Sequence, residues 1–193
     1  MAARPDDTRK KRLLEAALGV FVRFGFRKTS MDEVAKAAGV SRQALYLHFA
    51  TKEELFRAAV THLFDAAHAA ATERLGGDAP LERRLVDAYD AWFGPLVGAL
   101  GAHNDELAAA ATELVGPVVA DREADLVEAV AKALRRAGLT AAYKPAGLTA
   151  KQLASTLHAT ARGLKHCPTR EAFVEAMTVA ARVLCAPAKD AKR

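Results

Sequence analysis

The chain has 193 residues, 51% of them hydrophobic and 26% charged, with a mean hydropathy of zero; this excludes a disordered or fibrous protein and leaves enough chain for a core without disulfides or structural metals. No apolar stretch approaches the roughly 20 residues of a membrane helix, and residues 1–7 contain no apolar signal core, so a cytoplasmic protein with no membrane partner is expected. The formal net charge of +5 lies wholly in residues 1–60, which hold 12 Lys/Arg against 7 Asp/Glu, while the remainder holds 16 of each; a polyanion-binding head on a neutral body has this distribution, and so does a solvated basic tail at Arg9, Lys10, Lys11 and Arg12.

Apolar residues recur at spacings of three and four, and no segment alternates at period two for long, which predicts an all-α protein of about nine helices. The first helix is expected over about 8–24, with Leu14, Ala17, Phe21 and Phe24 on one stripe and Gly25 as a left-handed cap. Ser30 and Glu33 form a capping box at the start of the second helix, with Thr29 an alternative cap; Met31, Val34, Ala35 and Ala38 face inward until Gly39. Ser41 caps a short third helix to about residue 49, and Thr51 with Glu54 opens a fourth toward residue 75. Further helices are expected near 80–94, 103–114, 117–137, 149–166 and 170–186. They are separated by Pro95, Gly116-Pro117, Gly138, the 143–147 loop and Pro168, and Thr149 with Gln152 makes another capping box. The expected domains are 1–50 and 51–193.

The second and third helices, joined by a tight turn at Gly39-Val40, match a helix-turn-helix unit, in which the second helix enters the major groove. Leu45 and Phe49 are expected to pack on Val34, Ala38 and Phe21, which turns Gln43, Ala44, Tyr46 and Leu47 outward. Gln43 can pair with adenine, Arg42 with guanine, and Ala44 or Leu47 can touch a thymine methyl. Tyr46, His48 and Lys52 have the reach for phosphates, and the helix starts at Thr29 and Thr51 offer backbone N–H groups. A turn of this kind also occurs between helices of a bundle, with Tyr46 then a core residue. The run over 24–55, however, resembles the TetR family of bacterial regulators through Gly25-Phe26, Thr29-Ser30-Met31, Val34-Ala35, Ala38-Gly39-Val40-Ser41, Leu45-Tyr46, His48-Phe49 and Lys52-Glu53-Glu54-Leu55. An N-terminal three-helix DNA-binding domain is expected, contacting duplex DNA through Thr29, Ser30, Ser41, Arg42, Gln43, Ala44, Tyr46, Leu47, His48 and Lys52. Those contacts are read from the side chains themselves; beyond residue 60 the resemblance implies an all-helical homodimer formed by the last two long helices and a C-terminal domain that takes an effector. Leu47 departs from the aromatic or polar residue frequent at that place.

In the second module, Leu153, Leu157, Ala161 and Leu164, then Phe173, Met177, Ala180 and Leu184, form stripes at helical spacing. A stripe of this kind buries itself either in the chain's own core or, as the resemblance implies, against a partner copy, with Phe173 and Met177 as anchors. Tyr89, Trp92 and Phe93, with His68 and His158, are candidates for lining a small-molecule pocket, core packing being the competing assignment. The six histidines form no metal-ligand spacing, and Cys167 and Cys185 have neither disulfide-framework nor zinc spacing, so packed, reduced thiols without metal or cofactor are expected. No phosphate-binding loop, dinucleotide glycine pattern or nucleophile elbow is present, which leaves an enzyme reading without residues. The expected function is a ligand-responsive regulator, a repressor that leaves a pseudo-palindromic operator when its effector binds. The alternative is a helical small-molecule-binding or catalytic domain whose basic head makes only nonspecific contacts.

Overall fold

A computed structural model describes residues 5–97 and 104–190. The readings made on residues 1–4 and on residue 103 lie outside the described residues. Nine α-helices and no strand are found among the described residues: α1 (Pro5–Phe24), α2 (Met31–Ala38), α3 (Arg42–His48), α4 (Lys52–Gly76), α5 (Leu81–Phe93), α6 (Asn104–Arg136), α7 (Leu139–Ala142), α8 (Ala150–Leu164) and α9 (Arg170–Asp190). Two compact units divide them, residues 5–65 with 104–120 and residues 66–97 with 121–190, so α4 and α6 each run through both.

The first unit is built around Leu14, Ala17, Phe21, Val34, Leu45, Leu55 and Phe56, all buried. Phe21 and Phe26 both meet Phe56, at ring-centroid distances of 5.0 Å, in the edge-on arrangement that aromatic quadrupoles favour. Gly25 (φ 82°) and Gly39 (φ 65°) adopt the left-handed conformation that a Cβ disfavours, and each reverses the chain at a helix end. Phe24 departs from the predicted stripe. It is partly exposed at the last turn of α1, with the Arg23 guanidinium 5.1 Å from its ring centroid. At α2 the capping box is complete: Glu33 N donates to Ser30 Oγ, and Ser30 N donates to a Glu33 carboxylate oxygen at 2.8 Å.

The predicted break at Gly116-Pro117 does not occur, because α6 continues through it. A proline inside a helix has no N–H to offer and crowds the preceding turn. In that turn the Leu114 carbonyl is taken by Arg57, whose Nη1 donates to it at 2.7 Å. The carbonyl that Pro117 leaves without its helical donor is that of Glu113, so Arg57 braces the neighbouring carbonyl of the same turn and does not replace the missing bond. A second departure is α7, a single turn between Gly138 and Tyr143 that sequence periodicity is too short to reveal.

In the second unit α5 packs against α9 and α8, burying Leu85, Tyr89, Trp92 and Phe93 with Leu153, Leu157, Phe173 and Met177. An Asp90–Arg170 pair ties α5 to α9 with two hydrogen bonds of 2.7 Å. Asp90 raises the Arg170 guanidinium pKa, and the pair lies across Gly94, where an added Cβ would collide with the Asp90 carboxylate and stand 2.9 Å from Arg170 Nε. Tyr143 fastens the end of α7 by donating its hydroxyl to the Leu184 carbonyl at 2.7 Å.

Candidate nucleic-acid interface

The short helices α2 and α3 place the reading face. Ser41 caps α3 by accepting from Ala44 N at 3.1 Å, and Phe49 N closes the other end on the Leu45 carbonyl. Leu45 and Phe49 are buried beneath Phe21 and Val34, as their four-residue spacing requires, and this fixes the opposite face of α3 outward. Arg42, Gln43, Tyr46, Leu47 and His48 are exposed there and Ala44 is half-buried; Leu47 stands 80% exposed.

Charged groups frame the helix. Lys52, at the first turn of α4, donates to the Arg27 carbonyl at 3.2 Å and lies 4.7 Å from the Phe26 ring centroid, so its ammonium is positioned instead of swinging freely. On the other flank a recess of about 150 Å³ is lined by Arg9, Lys10, Leu13, Val40, Ala44, His48 and Phe49. The basic turn of α1 therefore abuts the exposed edge of α3. The sequence displayed these charges as a run, but only the packing of α1 against the turn at Val40 distinguishes them from a solvated tail. Arg42 donates from Nη1 to an Asp32 carboxylate oxygen at 2.8 Å, and its guanidinium lies 5.4 Å from the Tyr46 ring centroid. Asp32 escaped the sequence reading because nothing in helical periodicity reports a contact between residues ten apart.

Thr29 requires a correction. It is 2% exposed, and its hydroxyl donates to the Gly25 carbonyl at 2.7 Å, so it locks the α1–α2 turn from inside and has no face toward a ligand. It does not cap α2; Ser30 does. The Ser30 and Ser41 hydroxyls are both engaged in caps.

The family profile described as "Bacterial regulatory proteins, tetR family" matches residues 13–59, the segment from α1 into α4 that carries this geometry. The transcriptional activator FasR of Mycolicibacterium smegmatis is 38% identical over 89 residues, which is 46% of this chain and 41% of FasR. A TetR-family transcriptional regulator from Rhodococcus superposes with a TM-score of 0.67 at 25% identity, covering 93% of this chain and 99% of its own. Another, from Mesorhizobium loti, superposes with a TM-score of 0.68 at 18% identity, over 95% and 98%. Residues 13–59 thus match the TetR family of bacterial regulators, and the chain shares the fold of two such regulators. It spans about 40% of the length of the curated relatives FasR and YhgD that it matches. The TetR profile ends at residue 59, so the residues beyond it stand on their own geometry.

Within the second unit the structure gathers Tyr89, Trp92, Phe93 and His158. Tyr89 stacks on Phe93 at 6.5 Å, and His158 lies 5.9 Å from Tyr89 and 5.8 Å from Phe93. Trp92 meets Phe93 edge-on at 6.4 Å. His68, on α4, makes no ring contact with them. The Tyr89 hydroxyl and His158 Nδ1 are buried with no hydrogen-bond partner among the described residues, as is His68 Nε2, and burial pushes the Tyr89 phenol pKa well above its ordinary value. His158 Nε2 stands 3.8 Å from Glu123, too long for a hydrogen bond, and Arg162 stands 3.5 Å from the other carboxylate oxygen. His158 first, then Arg162, hold the Glu123 carboxyl below its ordinary range against the opposing effect of burial.

The expected dimer stripes need a second correction. Phe173 and Met177 are fully enclosed in the single chain (0% exposed), with Phe173 edge-on to Phe93 at 6.3 Å, and Leu153, Leu157 and Ala161 are buried with them. The stripe was read correctly as apolar but faces α5, because α9 packs along α5 as well as α8. Leu164, Ala180 and Leu184 are half-buried. The uncovered apolar residues are instead Val179 and Val183 (56% and 69% exposed), one turn apart on α9, and Leu148 ahead of α8. A groove of about 440 Å³ beside Val183 is lined by Leu148, Gln152, Thr156, Thr160, Ala180 and Leu184 among others.

Proposed function

We propose that the protein binds duplex operator DNA as a homodimer, inserting α3 into the major groove, and that a small molecule held in the second unit releases it. The observation that carries the DNA reading is the outward face of α3: Arg42, Gln43, Tyr46 and Leu47 stand exposed on a helix whose other face is locked by Leu45 and Phe49. Arg42 supplies the donor pair that reads guanine O6 and N7, Gln43 the amide donor and carbonyl acceptor that read adenine N7 and N6, and Leu47 the apolar contact for a thymine methyl. Lys52, Arg9 and Lys10 flank them as phosphate contacts, which set position and not sequence. A two-fold protein matches a two-fold operator, and the exposed Val179–Val183 face of α9 with its adjoining groove is the surface that supports pairing with a second copy.

The effector reading rests on Tyr89 and His158. A buried hydroxyl and a buried ring nitrogen without partners call for a water or a ligand atom, and the rings of Phe93 and Trp92 around them suit an apolar or planar molecule with one polar group. An effector acts by binding more tightly to a state that fits the operator poorly, and its preference between states sets the whole of the release.

Selection from a randomised duplex library, followed by fluorescence anisotropy on the enriched and scrambled duplexes, tests the reading. Enrichment of an inverted repeat supports it. Uniform weak binding to every duplex supports the alternative, a helical domain with a nonspecific basic head.

A further inference from the structure

On the reading surface of α3, the Arg42 guanidinium is not left to solvent. Asp32, in the first turn of α2, accepts from its Nη1 at 2.8 Å, and the Tyr46 ring lies 5.4 Å from the guanidinium carbon. All of this takes place at the surface, with the Arg42 and Asp32 side chains 63% and 58% exposed. An ion pair so exposed contributes little to folding, and Asp32 is not needed for the cap of α2, which Ser30 and Glu33 complete between themselves. A carboxylate beside a DNA-reading face is also unfavourable for attraction to a polyanion. In the first turn of α2 the carboxylate also complements the helix dipole, but that role does not require the 2.8 Å bond that carries it across to the reading face of α3.

We infer that Asp32 is a positioning residue for sequence recognition: it holds Arg42 against Tyr46 so that the guanidinium addresses a base edge and is withheld from phosphates. A guanidinium has five N–H donors in a rigid planar fork, and Asp32 is bonded to one of them. The fork keeps enough donors for the two-point contact to guanine O6 and N7. An arginine without such a tether samples many rotamers and binds any phosphate within reach, which adds affinity for all sequences alike. A tethered one loses less freedom when it meets its base, and its discrimination rises. The inference rests on the DNA reading of α3 and adds to it a residue that reads no base itself.

Asp32→Asn tests it, alongside Arg42→Ala and the double variant, by library selection and by anisotropy across a salt series. Relative to the wild type, Asp32→Asn is expected to bind scrambled duplex several-fold tighter and to lose roughly tenfold in preference for the enriched sequence over scrambled. Its log-affinity against log-salt slope should steepen by about one. Asp32→Glu, which keeps the carboxylate, should restore the preference. In the Arg42→Ala background the Asp32 change should leave preference unaltered, because Asp32 acts through Arg42. Thermal melting of each variant separates a folding defect from a recognition defect, and Tyr46→Leu supplies an independent arm, lowering preference by removing the ring face. If the wild type enriches no sequence, the DNA reading itself fails. Wild-type enrichment of a sequence that Asp32→Asn prefers equally would overturn the inference alone. An equal loss of preference with and without Arg42 would overturn it too, by making Asp32 a direct reader of bases.

Discussion

Gln43 and Lys52 are both exposed or half-exposed polar residues near α3, yet their surroundings assign them different work. Gln43 makes no hydrogen bond or ion pair among the described residues, so its amide is available for a base, whereas Lys52 is pinned over Phe26 and onto the Arg27 carbonyl. Gln43→Ala should relax preference at one or two base pairs of a half-site, at about 1–3 kcal/mol for the lost bidentate contact. Lys52→Ala should weaken enriched and scrambled duplexes together and lower the salt slope by about one. Anisotropy titrations over a salt series distinguish the two. Glu123 makes a prediction of the same scale in the second unit. Its carboxyl is held low in the folded chain by His158 and Arg162, so it contributes stability above the unfolded carboxylate pKa and loses that contribution as pH falls through the folded value. Glu123→Gln should therefore lower the urea midpoint at neutral pH and leave the two proteins converging in acid.

Helix ends were the most legible elements, since a cap is a local bargain between one side chain and a few backbone N–H groups. Ser30, Glu33, Gly39, Ser41, Thr149 and Gln152 all serve as their spacing predicts. Ser30→Ala should cost about 1 kcal/mol, a fall of roughly 2–4 °C in Tm for a chain of this size, read by thermal melting followed by circular dichroism. Features settled by distant partners were not legible. Pro117 looks like a helix stop, yet α6 runs through it, with Arg57 reaching the Leu114 carbonyl of the preceding turn from 57 residues away in sequence. Thr29 looks like a cap or a phosphate ligand until its hydroxyl is found on Gly25. On α9, periodicity separates the apolar stripe from the polar one but is silent on which neighbour covers it; α5, not a partner copy, covers Phe173 and Met177. Gly94 is legible only afterwards, from the Asp90–Arg170 pair that occupies the space of its missing side chain. Gly94→Ala should displace that pair and cost on the order of 1 kcal/mol.

For the whole molecule, the placement of apolar side chains makes two substitutions on one helix behave in opposite ways. Val183 is 69% exposed and lines the groove by α8, so Val183→Glu puts a charge where the single chain meets water. The monomer should tolerate it, with a Tm near that of the wild type measured at a concentration where the wild type is dissociated. In the dimer the same glutamate would be desolvated without a partner, and its twin would lie close by across the two-fold axis. Val183→Glu should accordingly run as a folded monomer in light scattering and bind a full operator weakly, while keeping its affinity for a half-site. Phe173→Glu, ten residues earlier, should not behave as an interface variant at all. Phe173 has no exposed surface and packs edge-on to Phe93, so a carboxylate there enters the core of the second unit and should leave that unit unfolded or aggregated instead of monomeric. Circular dichroism and light scattering on the pair decide the point. A dimeric Val183→Glu protein would remove this face of α9 as the contact between copies, and a well-folded monomeric Phe173→Glu protein would return the contact to the stripe that the sequence first offered.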